Sequence, residues 1–129
     1  MKVFFDEDNG QSLPRALLLL RAPCEAITYP RKEGPVTRGT PDTSWLAWVG
    51  ENGYLAVSQN RRILDVPHQR AALERHAAGC IFLASGQWKA HEVARLLLNR
   101  WDWFQLVDVN EPRPFAYLLL AGGGARKVL

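Results

Sequence analysis

Four short runs of almost wholly apolar residues constrain this chain most: 3–5, 54–58, 80–84 and 115–120. They are rich in β-branched and aromatic side chains and show no alternation with polar ones. A strand with one solvated face alternates, whereas a strand covered on both faces does not. Between the runs lie stretches with helical signals. Ser12 offers a cap before Pro14, which is tolerated in a first helical turn, and residues 15–22 are strong helix formers. Asp42 follows Pro41 and can cap a helix ending between Gly50 and Gly53. Asp65 or Val66 with Pro67 opens a third, closed by Gly79, and residues 87–103 carry an apolar helical stripe. Strands alternating with helices predict an α/β fold with a mostly parallel sheet covered on both faces.

Residues 25–29 and 104–109 read as further strands. With 129 residues, 47% of them hydrophobic, the chain is long enough for one core and too apolar for disorder. One domain over residues 1–121 is expected, with 122–129 as a frayed tail. Cys24 and Cys80 share no metal-binding spacing and read as reduced, buried thiols. The amino terminus turns acidic after residues 3–5, unlike a secretory signal, and no apolar run approaches the roughly 20 residues that span a bilayer. A cytoplasmic protein with no membrane partner is the expectation.

Ligands in open parallel sheets bind outside the carboxyl ends of the strands. That rule selects Asp6, Glu7 and Asp8 after the first run, Ser58 and Asn60 after the second, and Asp42 at the helix entering it. Three carboxyl groups in succession raise one another's pKa unless a cation or an arginine answers them. Oxygen-rich sites suit Mg²⁺ or Mn²⁺. A solvated turn that favours the following helix through its dipole would explain the same residues. Asp42 likewise reads as a plain cap, and Asn60 as a turn residue. Arg61 and Arg62 stand beside this crevice. Of the 16 basic residues 12 are arginine, which favours recognition of phosphate or carboxylate. A formal charge of +3 neither requires nor excludes nucleic acid.

Other candidates are weaker. His68, His76 and His91 have no partner at metal spacing, and the five tryptophans read mainly as helix-to-sheet packing. Ser58 and Ser85 lack a nucleophile elbow, and Gly122–Gly124 does not join a strand to a helix.

FFDEDNGQSLPRAL, PDTSWLAW, LAVSQNRRILDVPHQRAALERHAAGCIFL and EPRPFAYLLL, in that order, resemble the PIN-like family, in particular its VapC-type toxins of toxin–antitoxin systems. The resemblance implies a three-layer α/β/α sandwich whose acids hold Mg²⁺ or Mn²⁺ for phosphodiester hydrolysis of RNA. Asp6 stands where the family has its acid after the first strand, and Asp42 where an acid opens the helix before the third. Family members place Asp where this chain has Asn60, and Gln69 occupies a position where Glu is expected. An amide offers a cation its oxygen but no charge, so both changes weaken the implied site, with Asp8 or Asp65 available to compensate.

Two readings follow. One is a ribonuclease toxin in which Asp6, Asp8 and Asp42 hold the metal ion, and Asp6, Asp42 and Asn60 act in catalysis. Arg31, Lys32, Arg61 and Arg62 then engage RNA. The other is a weakened PIN-like domain that binds RNA or a protein. An antitoxin and a second copy of the chain are the expected protein partners. An unrelated α/β interaction domain with a merely solvated acidic turn is a third reading.

Overall fold

In a computed structural model that describes residues 1–84 and 87–129, six strands form one sheet in the order β2-β1-β3-β4-β5-β6. Ser85, set aside above as a nucleophile, lies outside the described residues. The strands are β1 (Lys2–Phe5), β2 (Ala26–Thr28), β3 (Leu55–Ser58), β4 (Gly79–Leu83), β5 (Phe115–Leu119) and β6 (Ala125–Lys127). All neighbours pair in parallel except β5 with β6. The helices are α1 (Ser12–Leu19), α2 (Asp42–Asn52), α3 (Pro67–Arg75), α4 (Ala90–Asn99) and α5 (Trp101–Asn110).

Both sheet faces are covered, as the unalternating runs required. Successive residues of a strand face opposite ways. Val3, Phe5, Leu55, Val57, Ile81 and Leu83 accordingly pack with Leu13 and Leu17 of α1, Leu97 of α4 and Phe104 of α5. Phe4, Ala56, Cys80 and Phe82 pack on the other side with Trp45, Leu46 and Val49 of α2 and Leu73 of α3. The result is a three-layer α/β/α sandwich. Two glycines set its spacing: a Cβ on Gly50 would lie 1.9 Å from the His76 carbonyl oxygen, and one on Gly79 would lie 2.6 Å from the Phe115 ring.

Several local expectations are corrected. Neither Ser12 nor Asp42 caps a helix with its side chain; each is the first residue of its helix. Gly53, with φ of 69°, is the left-handed end of α2. Helix α3 stops at Arg75 and Gly79 already belongs to β4; the left-handed residue between them is Ala77. The helix expected over 87–103 is two, α4 and α5, and residues 104–109 are helical, not a strand. Trp101, Phe104 and Val107 recur every three residues, and that stripe buries against the sheet. The tail expected to fray over 122–129 instead carries β6, and Leu129 and Ala116 exchange backbone hydrogen bonds. Both cysteines are free, as expected, although Cys24 is only half-buried.

The chain leaves β1 toward β2 on one side and returns to β3 on the other. The reversal opens a crevice at the carboxyl ends of β1 and β3, the usual ligand position in such sheets.

Candidate functional site

Asp6 directly follows β1 and is 3% exposed. Its backbone N–H continues the ladder to the Val57 carbonyl at 3.2 Å. Its carboxylate accepts a hydrogen bond from the Ser58 hydroxyl on one oxygen and from Asn9 Nδ2, at 2.7 Å, on the other. Asn9 also donates to the Val57 carbonyl at 2.9 Å, which fastens the acidic turn to the end of β3. Burial pushes the Asp6 carboxyl up to about 7, aided by the charges of Asp8 and Asp42, while the Ser58 bond pulls the other way.

Asp8 is exposed on the short 3-10 turn Glu7–Asn9, and its pKa is also raised, first by desolvation and then by Asp42 and Glu7. Glu7 accepts the Gly39 N–H at 2.6 Å, which draws the 30–41 loop over the turn. Asp42 approaches from α2. One of its oxygens accepts Trp45 Nε1–H at 2.8 Å, and the other accepts Asn60 Nδ2 at 2.9 Å. Asn60 is held in turn by its backbone N–H, which donates to the Ser58 hydroxyl at 2.9 Å. Asp6, Asp8 and Asp42 line one small cleft of about 70 Å³, closed on its sides by Glu7, Pro30 and Trp45.

The three acids selected from the sequence therefore meet, and Asn60 joins them, presenting its amide nitrogen to Asp42. Gln69 lies in the first turn of α3 and makes no hydrogen bond to these groups; Asp65 is exposed and does not line the cleft. Arg61 and Arg62 are exposed on the 3-10 turn that follows Asn60. Arg31 is half-buried, donating to Thr28 Oγ1 at 3.0 Å and lying over the Tyr29 ring, so part of its guanidinium serves the fold. Lys32 is exposed. Asn9 and Trp45 escaped the sequence reading. Asn9 was visible only as part of a polar turn and Trp45 only as a packing residue.

Among the described residues no three His, Cys, Asp or Glu side chains are gathered closely enough to encircle a metal ion. The donor chemistry nonetheless suits Mg²⁺ or Mn²⁺. All three acids offer oxygen, and such ions keep several waters and take only one or two carboxylates. Each carboxylate has about four lone-pair sites, so the neutral donors on Asp6 and Asp42 leave room for a ligand bond. A buried carboxyl held near neutrality beside two others is also the group whose charge a cation would stabilise.

No curated protein and no solved structure matches the chain. A family profile described as a PIN-like domain matches residues 1–85, 85 of the 129, which takes in Asp6, Asp8, Asp42 and Asn60. The chain belongs to the PIN-like domain family.

Proposed function

We propose that this chain is a Mg²⁺- or Mn²⁺-dependent endoribonuclease, the toxin of a toxin–antitoxin pair, working in the cytoplasm. One observation carries the reading: Asp6, Asp8 and Asp42 share one cleft at the sheet's switch point, with Asp6 buried and its pKa raised to about 7. One or two of Asp6, Asp8 and Asp42 would bind the cation directly, and the remainder would act on it through its waters. When bound, it lowers the pKa of its water and offsets the charge of a phosphate under attack. Ser58 and Asn9 fix the Asp6 carboxylate, Trp45 fixes that of Asp42, and Asn60 orients the outer Asp42 oxygen. Arg61 and Arg62, beside Asn60 and without a paired acid among the described residues, would meet the RNA backbone, joined by Lys32 and the free part of Arg31. Exposed Leu18, Leu19 and Leu20 at the end of α1 offer apolar surface to an antitoxin or a second copy.

A second reading has its own support. Asn60 and Asn9 satisfy the acids with neutral donors, so the cleft holds together without a cation. That arrangement favours a PIN-like domain that binds RNA or protein and cuts slowly or not at all. Incubating the protein with structured and unstructured RNA, with and without EDTA, separates the two. Cleavage abolished by EDTA and by Asp42→Asn supports the nuclease. Binding without cleavage supports the weakened domain, and cleavage surviving both treatments contradicts the proposed mechanism.

A further inference from the structure

A larger cavity, about 530 Å³, lies at the far side of the sheet between α4 and the turn joining β5 to β6. Glu92, Arg95, Asn99 and Arg100 border it on the helical side, and Gly122–Gly124 on the other. It falls outside the residues matched by the family profile. Because β5 runs parallel to β3 and lies two strands away, this turn shares the carboxyl edge of the sheet with the acidic crevice, about 10 Å along it.

The chemistry of the cavity is cationic and incomplete. Among the described residues neither Arg95 nor Arg100 has an acidic partner or a side-chain hydrogen bond. The Arg100 Nε is buried with no acceptor among the described residues, while its guanidinium lies 5.0 Å from the Trp103 ring centre. A buried donor without an acceptor is costly, and native structures rarely leave one. Among the described lining residues the one acid, Glu92, already accepts the Lys89 N–H at 3.0 Å. On the turn, a Cβ on Gly122 would meet nothing within 4 Å, while Gly123, with a φ of +89° that favours glycine, lies beside the Arg100 stem, 3.5 Å from where its own Cβ would be. A ligand can thus approach the backbone closely.

Two arginines lining one space suit an anion with several equivalent oxygens, and arginine's planar fork binds phosphate bidentately. The volume is within the roughly 300–1,000 Å³ range of small-molecule sites and larger than a lone phosphate needs. A smaller cleft of about 80 Å³ adjoins it, sharing Glu92, Leu96 and Ala121, and its wall is the half-buried Trp88. Aromatic side chains beside a basic groove are stacking platforms for bases.

We propose that this cavity binds one nucleotide unit, its phosphate on Arg95 and Arg100 and its base against Trp88. The proposal deepens the nucleic-acid reading above and rests on it for taking the phosphate to be that of single-stranded RNA.

The test is binding in EDTA, where cleavage does not intervene. A fluorescein-labelled single-stranded hexanucleotide is followed by anisotropy, with AMP and inorganic phosphate as competitors. The oligonucleotide should bind saturably, and Arg95→Gln should weaken it about tenfold or more. Arg95 is exposed and has no partner among the described residues, so this change leaves the fold intact; Arg100→Lys, which keeps charge but loses the fork, should also weaken binding. AMP should quench tryptophan fluorescence in the native chain and not in Trp88→Phe. AMP competing better than inorganic phosphate supports a nucleotide site; equal competition overturns the base contact at Trp88. Binding unaltered by both arginine substitutions, or no saturable binding, overturns the proposal. Arginine-dependent binding by a protein that never cleaves would uphold this site and sink the nuclease reading; cleavage without such binding would do the reverse.

Discussion

Replacing Asp6 by asparagine should stabilise the metal-free protein at neutral to alkaline pH and weaken it slightly in acid. In the folded chain the Asp6 pKa is raised from 3.8 to about 7, chiefly by burial. The folded state therefore binds this proton more tightly than the unfolded state does. Stability from this group is complete below the unfolded pKa and is lost as pH rises through about 7. A difference of about 3 units at 1.36 kcal/mol each makes the loss about 4 kcal/mol. Asparagine does not titrate. Its oxygen can still accept from Asn9 and its nitrogen can donate to the Ser58 hydroxyl, which then loses an acceptor at a cost of about 1 kcal/mol. Near pH 8 in EDTA, Asp6→Asn should thus be more stable by about 3 kcal/mol, and below about pH 4 less stable by up to about 1 kcal/mol. Urea unfolding followed by tryptophan fluorescence across this range reads both numbers. A constant offset between the two proteins at every pH would refute the reasoning.

Ser58→Ala removes the donor that lowers the Asp6 pKa and orphans the Asn60 N–H. It should cost about 2–3 kcal/mol near pH 8 and less in acid, measured by the same unfolding series; an equal cost at both ends would count against a charged Asp6 as the acceptor. Gly50→Ala drives a methyl into the His76 carbonyl and should destabilise by about 2 kcal/mol or more, read as a fall in Tm; an unchanged Tm contradicts the α2–α3 packing. Arg61→Ala and Arg62→Ala should each reduce the slope of log Kd for RNA against log salt by about 1 and leave the Tm unchanged. Slopes equal to that of the native chain would remove these residues from the interface.

The three buried strands β1, β3 and β4 were legible in the sequence because residues 3–5, 54–58 and 80–84 lack alternation, which fixes burial on both faces. Residues 104–109 misled because aromatic and β-branched composition suggested strand, while the deciding signal was the three-residue spacing of Trp101, Phe104 and Val107. Strand β6, Ala-Arg-Lys, has no apolar pattern at all. Its place comes from the backbone hydrogen bonds that the edge of β5 offers. The acids of the cleft were legible from their places after strands and before a helix. Their partners were not, because Asn9 reaches Val57 across 48 residues and Asn60 reaches Asp42 across 18. The cavity at Gly122–Gly124 was hidden for the same reason: Arg95 on α4 and Arg100 at its end are separated in sequence from the turn.

Whether Asp6, Asp8 and Asp42 act together on a divalent cation is read most directly by calorimetric titration with Mn²⁺ near pH 7, in two buffers of different ionisation enthalpy. With the Asp6 pKa at about 7, saturable binding should release about half a proton per ion from this group, and Asp6→Asn should bind more weakly and release fewer protons. Dilution heats alone with the native chain, or identical binding by Asp6→Asn, would contradict the account.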